Sequence, residues 1–181
     1  MKRCTWVGLL LLAIAAAAPA TASTFVAMSH EQLVAASAAV VQGRVIKTDS
    51  FWTPSGRLIV TEAMVQVEEV IVGAAPSVAV VRTAGGKVQG FTVEAHGFPQ
   101  FEVGQRVVLF LQAGDPAQVT GYRLGHYRIA ADGRGNEVAV PTLERGVQLL
   151  TADGSPAPRP RVMRLDTLKD QVRAHAARIV R

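Results

Sequence analysis

The residue types able to do acid–base or metal chemistry are few in this chain. Its four histidines are His30, His96, His126 and His175. No two lie four residues apart, and none sits in a recognised ligand pattern with carboxylates, so the spacing points to no metal. His96 is the one to watch, because it adjoins Gly97 and lies near Phe98 and Phe101 in a glycine-rich stretch. Ser55, Ser77 and Ser155 lack a Gly-x-Ser-x-Gly elbow, so acyl transfer finds no support. Glu68 and Glu69 are adjacent. Strand neighbours point to opposite faces, so these two cannot flank one substrate bond unless a bulge turns them together. Gly85-Gly86-Lys87 lacks the phosphate-loop spacing and reads as a corner with an exposed lysine. No catalytic residue, metal ligand or cofactor follows from these patterns.

The aromatic residues carry more. Phe51, Trp52, Phe91, Phe98, Phe101, Tyr122 and Tyr127 fall in or beside expected loops and strands. A surface patch of Trp52, Phe98 and Phe101, with Arg57, Lys87 and His96 nearby, is the candidate binding site for another protein. The competing reading is that these rings plug the ends of a barrel.

The first residues supply an address. Lys2 and Arg3 precede an apolar run from Trp6 to Ala18, and Ala20-Thr21-Ala22 offers a small-x-small cleavage pattern. Residues 1–22 are therefore expected to be a secretory signal peptide, cut after Ala22. The run is shorter than the roughly 20 residues of a spanning helix, so no integral membrane segment is expected after cleavage. The mature protein is expected in the periplasm or outside the cell. Its length of about 160 residues suits one domain. The only cysteine, Cys4, leaves with the leader, so core packing must replace disulfides. The formal charge of +5 includes Lys2 and Arg3, and the mild basicity left gives no argument for nucleic acid.

Residues 23–152 are expected to form a mainly β domain, 153–162 a Pro-rich linker and 163–181 an amphipathic helix. Ser29 and Gln32 mark the start of a short helix over about His30–Ala38. Val40–Ile46 alternates as a strand. Leu58–Val72 is a long strand whose alternation slips at Glu68-Glu69, which is the signature of a β-bulge. Val107–Leu111 is unbroken apolar and so is expected to be covered on both faces. Tyr122–Ala130 and Glu137–Val140 flank Asp132-Gly133-Arg134-Gly135-Asn136 as a hairpin. Pro156, Pro158 and Pro160 make the following stretch an expected extended, poorly packed tether. Leu165, Leu168, Val172 and Ile179 mark the closing helix, which is expected to fold back onto the sheet. The economical assembly is a small, bent, antiparallel OB-like barrel with a helix at each end.

Four stretches carry a resemblance. They are Ala39-Val40-Val41-x-Gly43-x-Val45, then Val65-x-Val67-Glu68-Glu69-Val70-x-x-Gly73, then Gly85-Gly86, then Gly97-Phe98-Pro99-x-Phe101-x-x-Gly104-x-x-Val107-Val108-Leu109-Phe110-Leu111. They resemble a group of exported, largely uncharacterised bacterial proteins whose barrel is similar to the OB-fold of tissue inhibitors of metalloproteinases and netrin-like modules. The resemblance implies the barrel but no activity. Those inhibitors chelate a protease zinc through an N-terminal cysteine, whereas the expected mature start here is Ser23-Thr24. The resulting expectation is a non-enzymatic binding module of the bacterial envelope, with an unidentified protein partner met by rim loops. A metalloprotease-inhibitor-like protein, or a hydrolase with an unfamiliar site around His96 or His126, are the alternatives.

Overall fold

The computed structural model describes residues 24–179. The expected signal peptide therefore lies outside the described residues. The protein is mainly β, with a seven-stranded antiparallel sheet, a short N-terminal helix and a C-terminal helix. Strand β1 (Thr24–Val26) comes first. Helix α1 (His30–Ala35) follows, started by a complete capping box. The Ser29 hydroxyl accepts from Gln32 N and the Gln32 carboxamide oxygen accepts from Ser29 N. The helix stops earlier than its periodicity predicts. Ser37 Oγ donates to Leu33 O, and Ala38 N already donates to Leu111 O in the sheet.

The sheet is organised around β2 (Ala39–Trp52) and β3 (Ile59–Gly73), which pair along their whole lengths. β2 runs well past Ile46 because β3 offers it a partner as far as Trp52↔Ile59. The slip anticipated at Glu68-Glu69 is present: Gln42 pairs with Glu69 and Gly43 with Val67, which leaves Glu68 as the extra residue. Strands β4 (Val78–Ala84), β5 (Gly86–Val88), β6 (Phe91–Val93) and β7 (Arg106–Leu111) follow. After them come β8 (His126–Ala131), β9 (Glu137–Pro141), β10 (Gln148–Leu150) and β11 (Met163–Arg164). The sheet order is β11-β9-β8-β7-β2-β3-β4, while β1 pairs with β10 in parallel and β5 with β6 as a hairpin. The strand expected from Tyr122 begins only at His126, because Tyr122–Gly125 form a 3-10 turn.

Val107–Leu111 is covered on both faces, as its composition predicts. Val107, Leu109 and Leu111 join Val41, Val45, Ala63, Val65 and Val81 in one core. Val108 and Phe110 join Leu33, Val40 and Tyr127 in the other. Helix α2 (Leu165–Ile179) closes that second core with Leu165, Leu168 and Val172. Gly43 has no room for a side chain, since a Cβ would stand 2.5 Å from Gln66 O and 2.7 Å from Val65 Cγ1. The bulge also decides where the paired carboxylates point. Glu69 lies opposite Gln42 and reaches Lys169 and Arg173 of α2, each at 2.7 Å. Glu68 takes a bond from Gln42 Nε2 at 2.9 Å and pairs with Arg106 and Arg44. Burial pushes the Glu68 carboxyl up, but the Gln42 amide and the Arg106 and Arg44 guanidinium groups outweigh it and hold it below the usual range. Both carboxylates thus turn to one side of the sheet and serve there as anchors.

Leu168 is wholly buried in the second core. Leu168→Ala is expected to cost about 2–5 kcal/mol of stability, read from urea unfolding, because it leaves a cavity between α2 and the sheet. A cost below about 0.5 kcal/mol would mean that α2 is dispensable to the fold.

Candidate functional site

The six candidate residues separate into three places. Trp52 ends β2 and Arg57 lies exposed in the loop that turns into β3. Lys87 sits mid-strand in β5, opposite Thr92. Trp52 and Arg57 share the end that carries the β5–β6 hairpin, while Lys87 lines a cleft on the hairpin's other face with Ser50, Thr61 and Phe101. Gln89 and Gly90 form the hairpin's two-residue turn, with φ of 48° and 88°. Two successive positive φ angles belong to a type I′ turn, whose twist suits a tight hairpin. The hairpin rests on the ends of β2 and β3: a Cβ on Gly86 would lie 2.6 Å from Ser50 Oγ and 2.4 Å from Thr61 Oγ1. This seating brings Phe91 against Trp52, edge to face, with ring centroids 6.0 Å apart.

Much of this aromatic pair meets solvent. Phe91 is 63% exposed and Trp52 37%, with Leu58 at 62% and Val93 at 41% beside them in the chain or hairpin. Burying such rings is strongly favourable, so an exposed cluster of this kind marks a place of contact. Arg57 lies exposed on the adjoining loop, Lys87 is exposed on the opposite face of the hairpin from Phe91, and neither has a carboxylate partner among the described residues.

Phe98 and His96 lie elsewhere, on the loop before β7. Phe98 packs on Tyr122 with centroids 4.9 Å apart, and Tyr122 in turn meets Phe25 of β1 at 5.9 Å. Gly97 has a φ of 82° and leaves the space that the Phe25 ring occupies: a Cβ there would fall 1.9 Å from Phe25 Cζ. Arg123 straps this loop down. Its Nε donates to Phe98 O at 2.7 Å, Nη1 donates to Thr142 O at 2.9 Å and Nη2 pairs with Glu144 at 2.9 Å. With all three nitrogens engaged, this buried guanidinium is a structural clamp. His96 stands on the far side of the same carboxylate, its Nδ1 3.3 Å from Glu144 Oε2, and is largely exposed.

Phe101 is the third location. Its half-buried ring lies 5.1 Å from that of His126, which is almost wholly enclosed. Thr142 Oγ1 donates to His126 O at 3.0 Å and stands 3.2 Å from His126 Nδ1. The hydroxyl proton is therefore committed to the carbonyl, and Nδ1 must be the ring donor to Thr142 Oγ1. Nε2 is left as a bare, buried acceptor without a partner. Burial, helped by the nearby Arg123 charge, brings the His126 pKa from 6.5 down to about 3. A neutral ring buried to this degree is poorly placed to exchange protons with a substrate. Among the described residues, no group of three His, Cys, Asp or Glu side chains is placed to hold a metal ion.

Trp52, Phe98 and Phe101 thus do not pack on one another: each has a different aromatic partner. Phe91 is the partner of Trp52, and the sequence signal for it was the Gln89-Gly90 turn between two short β-prone runs. Arg123 and Glu144 gave no local signal, since their roles depend on partners far away in the chain. No protein-family model matches this chain, and no curated protein matches it.

The buried His126 ring sets an acid limit on stability. The unfolded chain binds a proton there below about 6.5 and the folded chain only below about 3, so the unfolded state holds more protons between these values. Stability is therefore full above 6.5 and falls as the pH drops through that window. Burial lowers the His30 pKa as well, and that ring acts in the same direction. His126→Phe is expected to lose clearly less stability than the parent chain between about pH 7 and pH 5 in urea titrations. Equal losses in both would remove His126 from the account.

Proposed function

We propose that this protein is an exported binding module of the bacterial envelope, which contacts another protein through the exposed end formed by the β2–β3 loop and the β5–β6 hairpin. The observation that carries the reading is the Trp52–Phe91 pair, partly in solvent beside a tight turn, with exposed Leu58 and Val93 on the adjoining loop and hairpin. Exposed aromatics held in place are common anchors of protein contacts. Export rests on the leader pattern, whose proposed cut after Ala22 leaves Ser23 ahead of β1.

We read the sheet as a small OB-like barrel, of the kind that the resemblance to inhibitor and netrin-like modules implies. The support lies in two short bridges. Ala117 N donates to Val80 O, and Arg82 N donates to Ala117 O, so the open edge of β4 takes a partner. Two residues later, Val119 bridges Leu111 of β7. The hydrogen-bonded path then runs β7–β2–β3–β4–Ala117–Val119 and back to β7, around the core that contains Val41, Val65 and Leu109. In such a barrel the hairpin lies at the rim, where a binding loop is supported but free of the core. The hydrolase alternative draws no support from His126, which is enclosed, or from His96, which has a carboxylate but no hydroxyl nucleophile among its partners.

A photo-crosslinking residue in place of Trp52, expressed with the native leader, is expected to trap one exported protein. The Trp52→Ala/Phe91→Ala double variant is expected to lose the same partner in pull-downs, by about tenfold or more, while melting like the parent. The mature form is expected to begin at Ser23 by mass spectrometry. A chain that keeps Cys4 in the cytoplasm, or an unchanged partner in the double variant, would falsify the proposal.

A further inference from the structure

A cleft of about 400 Å³ opens away from the aromatic end, between α1, the β1–β10 pair and the Pro-rich segment. This volume is in the range of small-molecule sites. Its walls are mostly apolar and include Met28, Leu124, Leu149, Ala157 and Pro158. The Pro-rich segment is a fixed wall here: Ala157 N donates to Leu149 O, and Arg159 donates to the carbonyls of Leu143, Glu144 and Val147.

The one permanently charged side chain of the cleft wall is positive, that of Arg159. No carboxylate lines the cleft. Tyr127 and His30 use their capacity on each other and on α2, with His30 Nε2 2.9 Å from the Tyr127 hydroxyl and His30 Nδ1 3.0 Å from Gln171 Oε1. Gln171 Oε1 only accepts, so Nδ1 carries the ring proton and the tyrosine donates to Nε2. That leaves donors. Gln32 Oε1 is taken by Ser29 N, but Gln32 Nε2 has no acceptor among the described residues. Arg159 bonds only to neutral carbonyls and has no carboxylate within 4.0 Å among the described residues, so it brings a net positive charge to the wall of the cleft. Its Nε–H is also unused.

We propose that this cleft binds one small amphipathic carboxylate, with its acyl chain along Met28, Leu124, Leu149 and Ala157 and its head group at Arg159 and the Gln32 amide. An apolar trough with a lone cation and spare donors at its mouth suits that chemistry. An apolar cation meets like charge there, and a neutral alcohol leaves the guanidinium unanswered.

The test is calorimetric titration of the mature chain with sodium decanoate, octanoate, decanol and decyltrimethylammonium. Decanoate is expected to bind one molecule per chain, about fifteenfold tighter than octanoate, since each of its two extra buried methylenes adds about fourfold. Decanol is expected to bind about tenfold more weakly and the ammonium not at all. Arg159→Gln is expected to lose about tenfold in decanoate affinity, with Arg159→Lys retaining part of it. Ala157→Phe, which fills the trough, is expected to abolish binding. Circular dichroism melting checks that each variant is folded. If Arg159→Gln unfolds, Ala157→Phe and the head-group series decide alone. No decanoate binding, equal binding of all three head groups, or binding that survives Ala157→Phe in a folded chain would overturn the proposal.

Discussion

Everything in this fold is arranged around a strand that can leave neither face to water. Every residue of Val107–Leu111 is apolar and buried, so the chain has to supply two layers against β7. One layer is the curled part of the sheet itself, through Val41, Val65 and Val81. The other is helical, through Leu33 of α1 and Leu168 of α2. The two ends of the chain are thereby drawn to the same side. With no cysteine after Cys4, burial of these side chains has to hold the elements together by itself.

The bulge at Glu68 couples the two layers. An extra residue in one strand reverses the phase of the side chains beyond it. Before the bulge, Ala63, Val65 and Val67 face the curled core; after it, Glu69 faces α2. Its bonds to Lys169 and Arg173 are partly exposed and so contribute modest stability each. Their geometric role is larger. They fix the angle and register of α2 on a surface where Leu, Val and Ala side chains would tolerate sliding.

Much of the fold was legible because the signals were local. Ser29 and Gln32 announce α1 through one turn of backbone, the bulge is a break in alternation, and the run of Val107–Leu111 states its own burial. Asp132 likewise explains its hairpin, since its carboxylate accepts from the backbone N–H groups of Arg134 and Asn136. What was not legible depends on distant partners. Trp52 and Phe91 meet because a glycine corner folds a hairpin back on the sheet. Phe98 and Phe101 are close in sequence, yet one packs on Tyr122 and the other on His126. The Pro-rich stretch reads as a loose tether in sequence, while Arg159 and the Ala157 N–H bind it to carbonyls that no sequence pattern pairs with it. Parallel pairing of β1 with β10 has the same cause, since no turn connects them.

The long β2 strand gives the molecule two poles. Val40 sits in the helical core, and Trp52 lies twelve residues further along, at most about 40 Å at ~3.3 Å per extended residue. Thr24 and Ile179, the outermost described residues, belong to elements at the helical pole. Whatever grips the helical pole therefore leaves the bare Trp52 and Phe91 rings outward, like the tip of a probe on a handle.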